Sequence, residues 1–314
     1  MTRDGPGAWD SSYHAPVLAD EILELFRGAS SILDCTLGGG GHSAALLASG
    51  ASVTAIDRDP QSITAARARL AEPAAAGRFR VILGNFAEAD RLLQDSHQRF
   101  DGILADLGVS SHQIDDPERG FSFREGAPLD MRMDPTAAID AATLLNSAAD
   151  EEIATILREH ADEPRARRIA REIVRRRLNR AFATSDDLVG AIRSVLGPRS
   201  GPSDFARIFQ GFRIAVNDEI ESLTRALPVL RDLLTPGGTL AIISYHSGED
   251  RLVKNAFREW SKDCICPPRQ PTCTCRGKAL GAVVNRKPIG PSPEETERNP
   301  RARSARLRAW RSAA

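Results

Sequence analysis

The sequence predicts an α/β fold, a mostly parallel sheet with helices on both faces, interrupted by an inserted all-helical domain. Three observations predict it. Short apolar runs alternate with helical patterns through the first hundred or so residues; the alternation stops between about 110 and 210; and it resumes afterwards. Strand and helix alternating at this spacing argue for βαβ units, and the break argues for an insertion rather than a second tandem domain.

The elements follow in order. Residues 31–35 read as a buried strand, followed by a glycine run and a helix starting near Ser43. Residues 51–56 form a second strand ending at Asp57, and Pro60 stands where a helix can begin, with Ile63, Ala66 and Leu70 at helical spacing. Residues 79–83 and 100–105 are the third and fourth strands, the latter ending at Asp106. The interruption opens with a loop over 115–134, then helical patterns at 150–160, 165–178 and 185–196, the last with Thr184 or Ser185 placed to cap it. Residues 197–202, Gly-Pro-Arg-Ser-Gly-Pro, punctuate its end. A long helix over 214–234, a turn at Pro236-Gly237-Gly238, a strand over 239–244, a helix over 248–260 and a late strand over 282–284 restore the first pattern. The expected division is 1–112 and 212–314 for the sheet domain, ending in a basic tail, and 113–211 for the insertion.

At 314 residues the chain exceeds the usual single-domain size, and 41% apolar residues suffice for a packed core. No apolar run is long enough to span a bilayer, and the opening residues lack the apolar stretch of a signal peptide, so a cytoplasmic protein is expected. Formal net charge is zero, which by itself gives no reason to expect nucleic acid. The charge is unevenly placed, however: residues 165–180 carry eight arginines and one glutamate, and residues 298–311 carry six arginines and no acid. Such stretches are either solvated helix faces or phosphate-binding surfaces.

Open parallel sheets bind ligands beyond the carboxyl ends of their strands. Here the first strand is followed by Gly38-Gly39-Gly40-Gly41-His42, a run that lets backbone amides at a helix start approach a ligand. A tight structural turn would look similar. Asp57, ending the second strand, is placed to accept both hydroxyls of a ribose. The glycines are contiguous rather than Gly-x-Gly-x-x-Gly, and no phosphate loop is present, so an adenosine cofactor without a pyrophosphate, such as S-adenosylmethionine, fits better than a dinucleotide.

The chain resembles the bacterial ribosomal RNA small subunit methyltransferase H family. The residues carrying the resemblance are His14-Ala15-Pro16-Val17-Leu18, Asp34-Cys35-Thr36 with Gly40-Gly41-His42, Ala55-Ile56-Asp57-Arg58-Asp59-Pro60 and Gly84-Asn85-Phe86. They continue through the run from Asp101-Gly102 and Asp106-Leu107-Gly108 to Ser110-Ser111-His112-Gln113, and through Gly120-Phe121-Ser122-Phe123. Phe209-Gln210 with Arg213-Ile214, Val216-Asn217, Ser244-Tyr245-His246-Ser247 with Glu249-Asp250-Arg251, and Asn299-Pro300-Arg301-Ala302-Arg303-Ser304-Ala305 complete them. The resemblance runs nearly end to end; His112 departs from an expected proline and Gly248 from an expected leucine. It implies a Rossmann-like S-adenosylmethionine-dependent methyltransferase fold, methylation of N4 of a decoding-site cytidine in 16S rRNA, a small-ribosomal-subunit partner and a homodimer. It also implies that Gly40, Gly41, His42, Asp57, Phe86, Asp106 and Gln113 contact S-adenosylmethionine.

Cytosine N4 is a poor nucleophile because its lone pair is delocalised into the ring, so the reaction asks for an acceptor that orients the amine and takes its proton. Asp106, ending the fourth strand, is the candidate acceptor, although the Pro-Pro-aromatic sequence that commonly follows such an acid is absent, and its rival role is only to hold the cofactor's methionine end. His246 is a candidate proton relay or RNA contact, with a packed, satisfied histidine as its rival, and Asn217 is a weaker candidate of the same kind. The target base must leave its stack, and the arginine-rich insertion is the natural clamp for the RNA around it.

No metal is assigned to the catalytic site. Cys264-x-Cys266 and Cys273-x-Cys275 leave zinc open, though the usual structural spacing puts two or more residues inside each pair. Thr272-Cys273 and Thr274-Cys275 leave open a cytosine-C5 methyltransferase with a Thr-Cys nucleophile, while Cys35 reads as a small buried residue. A non-catalytic RNA-binding assembly factor and a dehydrogenase are the remaining rivals.

Overall fold

A computed structural model describes residues 16–94, 98–267, 270 and 272–314. His14 and Ala15 of the first resemblance motif lie outside the described residues. The chain divides into two compact units, one of residues 1–108 and 221–314, the other Val109–Ile220. The insertion thus begins a little earlier and ends later than the expected 113–211.

The first unit is built on seven strands: β1 (Ser31–Asp34), β2 (Ser52–Asp57), β3 (Phe79–Leu83), β4 (Phe100–Asp106), β5 (Leu234–Ser244), β6 (Gly281–Val283) and β7 (Arg306–Ser312). Their order is β3-β2-β1-β4-β5-β7-β6. The pairings from β3 to β5 are all parallel, while β7 runs antiparallel to both β5 and β6. Strand order reverses at β1, where the chain steps out to β2 and β3 and later returns on the other side through β4.

Alternate residues of the central strands feed two cores, as a sheet covered on both faces requires. Ile32, Leu104, Ala241 and Ile243 enter one, with Ile22 of α1 (Ala19–Leu25) and Leu46 of α2 (Gly41–Ala48). Leu33, Ile103, Ala105, Leu240 and Ile242 enter the other. Helices α3 (Pro60–Arg69), α4 (Ala71–Ala75) and α5 (Ala89–Leu93) complete the early βα units. Pro60 takes the first turn of α3, as the sequence suggested, and the Asp59 carboxylate, which the sequence reading left without a role, caps it through the amide of Gln61.

The second unit opens with α6 (Ser111–Asp115); α7 (Ala141–Ser147), α8 (Asp150–His160), α9 (Ala166–Arg177), α10 (Ser185–Leu196) and α11 (Pro202–Val216) then pack a separate core that includes Leu145, Ile153, Leu157, Ile169, Ile173, Ile192 and Phe212. The Asp187 carboxylate reaches back to the amides of Ala183 and Thr184 at the start of α10. Helix α12 (Glu219–Asp232) carries the chain back to the first unit, followed by α13 (Ser247–Trp260) and α14 (Pro293–Arg298).

Three expectations need correction. The single helix over 214–234 is two helices, because Asp218 takes a left-handed φ of 51° and Asn217 ends α11. Asn217 is 2% exposed; its side-chain amide donates to the carbonyls of Met131 and Arg213 and its oxygen accepts the amide of Met133, so it pins a loop to a helix end. The Pro236-Gly237-Gly238 turn lies inside β5, where the register with β4 shifts between Phe100 and Gly102. The basic tail is strand β7 in its second half, its inward residues Leu307, Ala309 and Trp310 fully buried. Arginines at alternate positions hide a strand because they raise the polarity of a segment whose apolar residues are few.

One of those arginines is internal. The Arg308 guanidinium meets both carboxylate oxygens of Asp250 on α13, at 2.6 and 3.1 Å, and Arg308 is 7% exposed. Removing one partner of such a pair typically costs about 3–5 kcal/mol when the other is stranded, but the half-exposed Arg306 also lies 3.5 Å from Asp250 and keeps part of the pairing. Arg308→Ala should therefore lower the urea unfolding free energy by about 2 kcal/mol, and an effect below about 0.5 kcal/mol would show that water reaches the pair.

Candidate functional site

Three aspartates end three neighbouring strands of the first unit: Asp34 on β1, Asp57 on β2 and Asp106 on β4. This is the carboxyl edge of the sheet at its switch point, where ligands bind in open α/β folds.

Asp34 is 1% exposed and braces the loop after β1: its carboxylate accepts the Ser43 hydroxyl at 2.7 Å and the Thr36 amide at 3.2 Å. Thr36 in turn accepts the Asp106 amide on its hydroxyl at 2.7 Å, tying β1 to β4. The glycine run turns above this brace, with Gly38 and Gly40 at φ of 50° and 75°. A side chain at Gly40 would also press on Leu70 and Ala66 of the α3 region, and one at Gly41 on Pro16. The glycines are thus required by the turn and its packing alone; the residues at the start of α2 are buried and the Gly40 amide is donated to the Leu37 carbonyl at 2.8 Å.

Asp57 closes the same turn from below. Its two carboxylate oxygens accept the amides of Gly38, at 2.7 Å, and Asp59, at 2.9 Å. A carboxylate has about four acceptor positions, so these two bonds orient the group and leave capacity for a ligand diol. Burial pushes its carboxyl up to about 6 against those two amides, with the neighbouring acids Asp59 and Asp34 adding to the rise. Phe86 follows β3, whose last residue, Leu83, pairs with Asp57. It is half-buried at the edge of the second core and starts a single turn capped by Asn85 through the amide of Ala87.

Asp106 is the most connected of the three. Its side chain is 9% exposed; Tyr245 donates its hydroxyl to Oδ1 at 2.9 Å, and His42 Nδ1 lies 3.8 Å from Oδ2. The other imidazole nitrogen of His42 faces the Val17 carbonyl at 2.8 Å. A carbonyl only accepts, so Nε2 carries the proton and Nδ1 is the nitrogen turned to Asp106. Burial raises the Asp106 carboxyl to about 6, opposed by His42 and the Tyr245 hydroxyl and reinforced by Asp34 and Glu249. Sequence reasoning quoted Tyr245 in a motif without giving it a role. The missing signal was distance: Tyr245 follows β5, and only the β4–β5 pairing brings it to the acid.

His246 is placed differently from the expectation of a relay. Its Nδ1 accepts the amides of Gly248 and Glu249 at 3.2 and 3.4 Å, capping α13, and its Nε2 lies 3.2 Å from Glu249 Oε1. The other Glu249 oxygen accepts the amides of Tyr245, at 2.9 Å, and His246, at 3.3 Å. Glu249, 3% exposed and unremarked in the sequence, therefore holds the turn that aims Tyr245 at Asp106.

Gln113 belongs to the second unit, where its side-chain oxygen accepts the Ser110 amide at 2.9 Å in a capping box. Asn217, used as described above, also belongs there. Cys35 is buried beside Asp34, and burial pushes its thiol well up, which suits packing and not nucleophilic attack. Cys273 and Cys275 lie with Cys264 and Cys266 in one exposed cluster beyond α13, so neither Thr-Cys pair stands alone as a nucleophile would.

The arrangement offers a carboxylate with spare acceptors and a cluster of buried acids. Such a cluster favours a cation and repels a pyrophosphate. Comparisons with known proteins agree. A family model described as the MraW methylase family matches residues 11–313. The ribosomal RNA small subunit methyltransferase H of Gemmatimonas aurantiaca is 62% identical over 311 residues, covering 99% of each chain. Those of Heliobacterium mobile and Anaeromyxobacter sp. (strain K) are 45% and 46% identical, covering 94% of this chain and 97% and 96% of theirs.

If His246 is a cap, stability reports it. His246→Ala should cost about 1 kcal/mol in urea unfolding, while His246→Asn, whose short side chain also accepts N-terminal amides, should stay within about 0.5 kcal/mol of the parent. Equal losses in the two variants would contradict the capping role.

Proposed function

Because the chain belongs to the MraW methylase family, we propose that it transfers a methyl group from S-adenosylmethionine to small-subunit ribosomal RNA, at N4 of a decoding-site cytidine. The observation that carries the finer part of this reading is the Asp106 carboxylate, buried at the switch point with the Tyr245 hydroxyl on one oxygen.

The first unit's residues fit S-adenosylmethionine. When bound, it supplies a methyl group on a positively charged sulfur. Asp57 would take the ribose hydroxyls, the backbone of Gly40 and Gly41 and the ring of His42 would line the amino-acid end, and Phe86 would cover the adenine. The acids Asp34 and Asp106 suit the cationic centre. Gln113 joins this set on the family resemblance alone.

Asp106 does the work on the acceptor. As a carboxylate it accepts a hydrogen bond from the amine, which turns the nitrogen lone pair out of conjugation, and it then takes the proton that the methylated nitrogen must lose. A carboxyl near 6 is ionised at neutral pH yet basic enough to hold that proton briefly. Tyr245 orients the carboxylate and sets an aromatic ring beside it, the pairing that amino-directed enzymes commonly encode in one local motif. Here it is assembled from β4 and the end of β5.

The second unit supports RNA binding. One face of α9 is buried through Ala166, Ile169, Ala170 and Ile173, while Arg168, Arg171 and Arg175 lie exposed at three- and four-residue spacing. Arg175 pairs with Glu172, and Arg177 is spent on the carbonyls of Leu145 and Ala148. The phosphate-facing charge is therefore smaller than eight arginines suggest, and it lies along a single stripe.

Incubation with labelled S-adenosylmethionine and unmodified small subunits, followed by nucleoside analysis, tests the reading: N4-methylcytidine supports it, and label at C5 or on another base overturns it. Asp106→Asn should lower kcat at saturating cofactor by about 100-fold or more, since acid–base groups contribute roughly 10² to 10⁴. In the parent, kcat/KM should fall as pH drops through about 6, where the Asp106 carboxyl protonates. Tyr245→Phe removes a hydrogen bond that holds that carboxyl down, so the acid limb should move to higher pH. Charge reversal at Arg168 and Arg171 should weaken RNA binding and flatten its salt dependence by about one unit of slope per lost phosphate contact, leaving cofactor binding unchanged.

A further inference from the structure

The connection between α13 and edge strand β6 gathers four sulfur atoms, those of Cys264, Cys266, Cys273 and Cys275, all within 4.8 Å of one another. Cys273 lies 3.8 Å from both Cys264 and Cys266 and 3.5 Å from Cys275, and Cys275 lies 3.8 Å from Cys264. A disulfide needs about 2.0 Å, and no pair is set apart from the others as a bridge would be. Four thiolates about 2.3 Å from a central zinc form a tetrahedron whose edges are about 3.8 Å. The observed separations are close to those edges.

The loop is built around these sulfurs and little else. Among the described residues from 261 to 280 none is buried, so the segment has no apolar core of its own. Its base is closed by the Leu280 amide on the Trp260 carbonyl, at 2.8 Å, and the Ala279 amide on the Asp263 carboxylate, at 3.2 Å. Arg276 ties it to the end of α13 through the carbonyls of Glu259 and Lys262. At the far end the Ile265 amide donates to Cys275 Sγ at 3.3 Å, an N–H···S bond of the kind that stabilises a metal-bound thiolate. The two Cys-x-Cys arms approach from opposite sides of the loop, each giving two corners, which removes the objection that one intervening residue is too few.

We propose that Cys264, Cys266, Cys273 and Cys275 bind one zinc ion in a closed structural site. All four positions are thiolates, so no coordination site is left for water or substrate, and the ion does no chemistry there. Binding displaces the thiol protons to solvent and orders the tip of a loop whose other fastenings lie at its base. It thereby holds β6 against β7, where Gly281 lies directly on the Trp310 ring. The proposal is independent of the reaction carried out at β1, β2 and β4.

The test uses the full-length chain purified under reducing conditions and loaded with zinc alone. Elemental analysis after dialysis should find about one zinc per chain, released by a mercurial as four thiols react. Cobalt in its place should show the visible bands of a tetrahedral thiolate site. Cys273→Ser with Cys275→Ser should bring zinc to background, whereas Cys35→Ala should retain it. Should the double variant fold poorly, the parent chain decides alone. Background zinc after loading with all four thiols freely reactive overturns the site, as does recovery of the four cysteines as two disulfides.

Discussion

The central parallel strands, covered on both faces, hold their buried acids at the strand ends, and the site depends on that constraint. Helices shield the flat surfaces, so alternate residues of β1, β4 and β5 are apolar in both directions. The carboxyl ends of β1, β2 and β4 are left as the places where Asp34, Asp57 and Asp106 can stand. Reversal of strand order at β1 brings them side by side. Burial first, and neighbouring acids, Asp34 among them, second, raise the affinity of Asp57 and Asp106 for protons and make the same spot attractive to a cation. Cofactor choice and basicity of the catalytic candidate thus come from one arrangement.

Secondary-structure capping and the chemistry share residues here. His246 caps α13 with its ring, and Glu249, in the first turn of that helix, reaches back to hold the amides of Tyr245 and His246. The turn so fixed carries the Tyr245 hydroxyl to Asp106. On the other side the Val17 carbonyl fixes the tautomer of His42 and with it the nitrogen turned to the acid. Neither histidine is a free base. Both spend one nitrogen on backbone, and what they contribute is the placement of other groups.

The antiparallel strand β7 and the loop before β6 finish the sheet by different physics. β7 enters with Trp310 packed on Phe257 and Trp260 and with Arg308 paired internally, so its arginines are divided between solvent and a buried ion pair. β6 is short and is reached through a segment without a core, held by hydrogen bonds at its base and by sulfur ligands at its tip. On α9, too, arginines close to one another in sequence have different fates, some fastening helix ends and some facing water. Counting charges along the chain overstates what is available to RNA.

The sequence by itself determined the strand–helix alternation, the break for the helical insertion, and the acids at strand ends, because each is written in local spacing: periods of two and 3.6, turn residues, and an aspartate after an apolar run. The helix start at Pro60 and the strand over 79–83 could be read directly for that reason. Only the tertiary structure decided which residues meet. Tyr245 and Asp106 are brought together by the β4–β5 register, and Glu249 matters because it folds back on its own helix start. Asn217 breaks what looks like one helix because a loop some eighty residues earlier needs its amide, and the cysteine arms close a tetrahedron that their spacing argued against. In each case the deciding interaction joins residues distant in sequence or competes with local propensity, and its strength depends on burial, which no local pattern records.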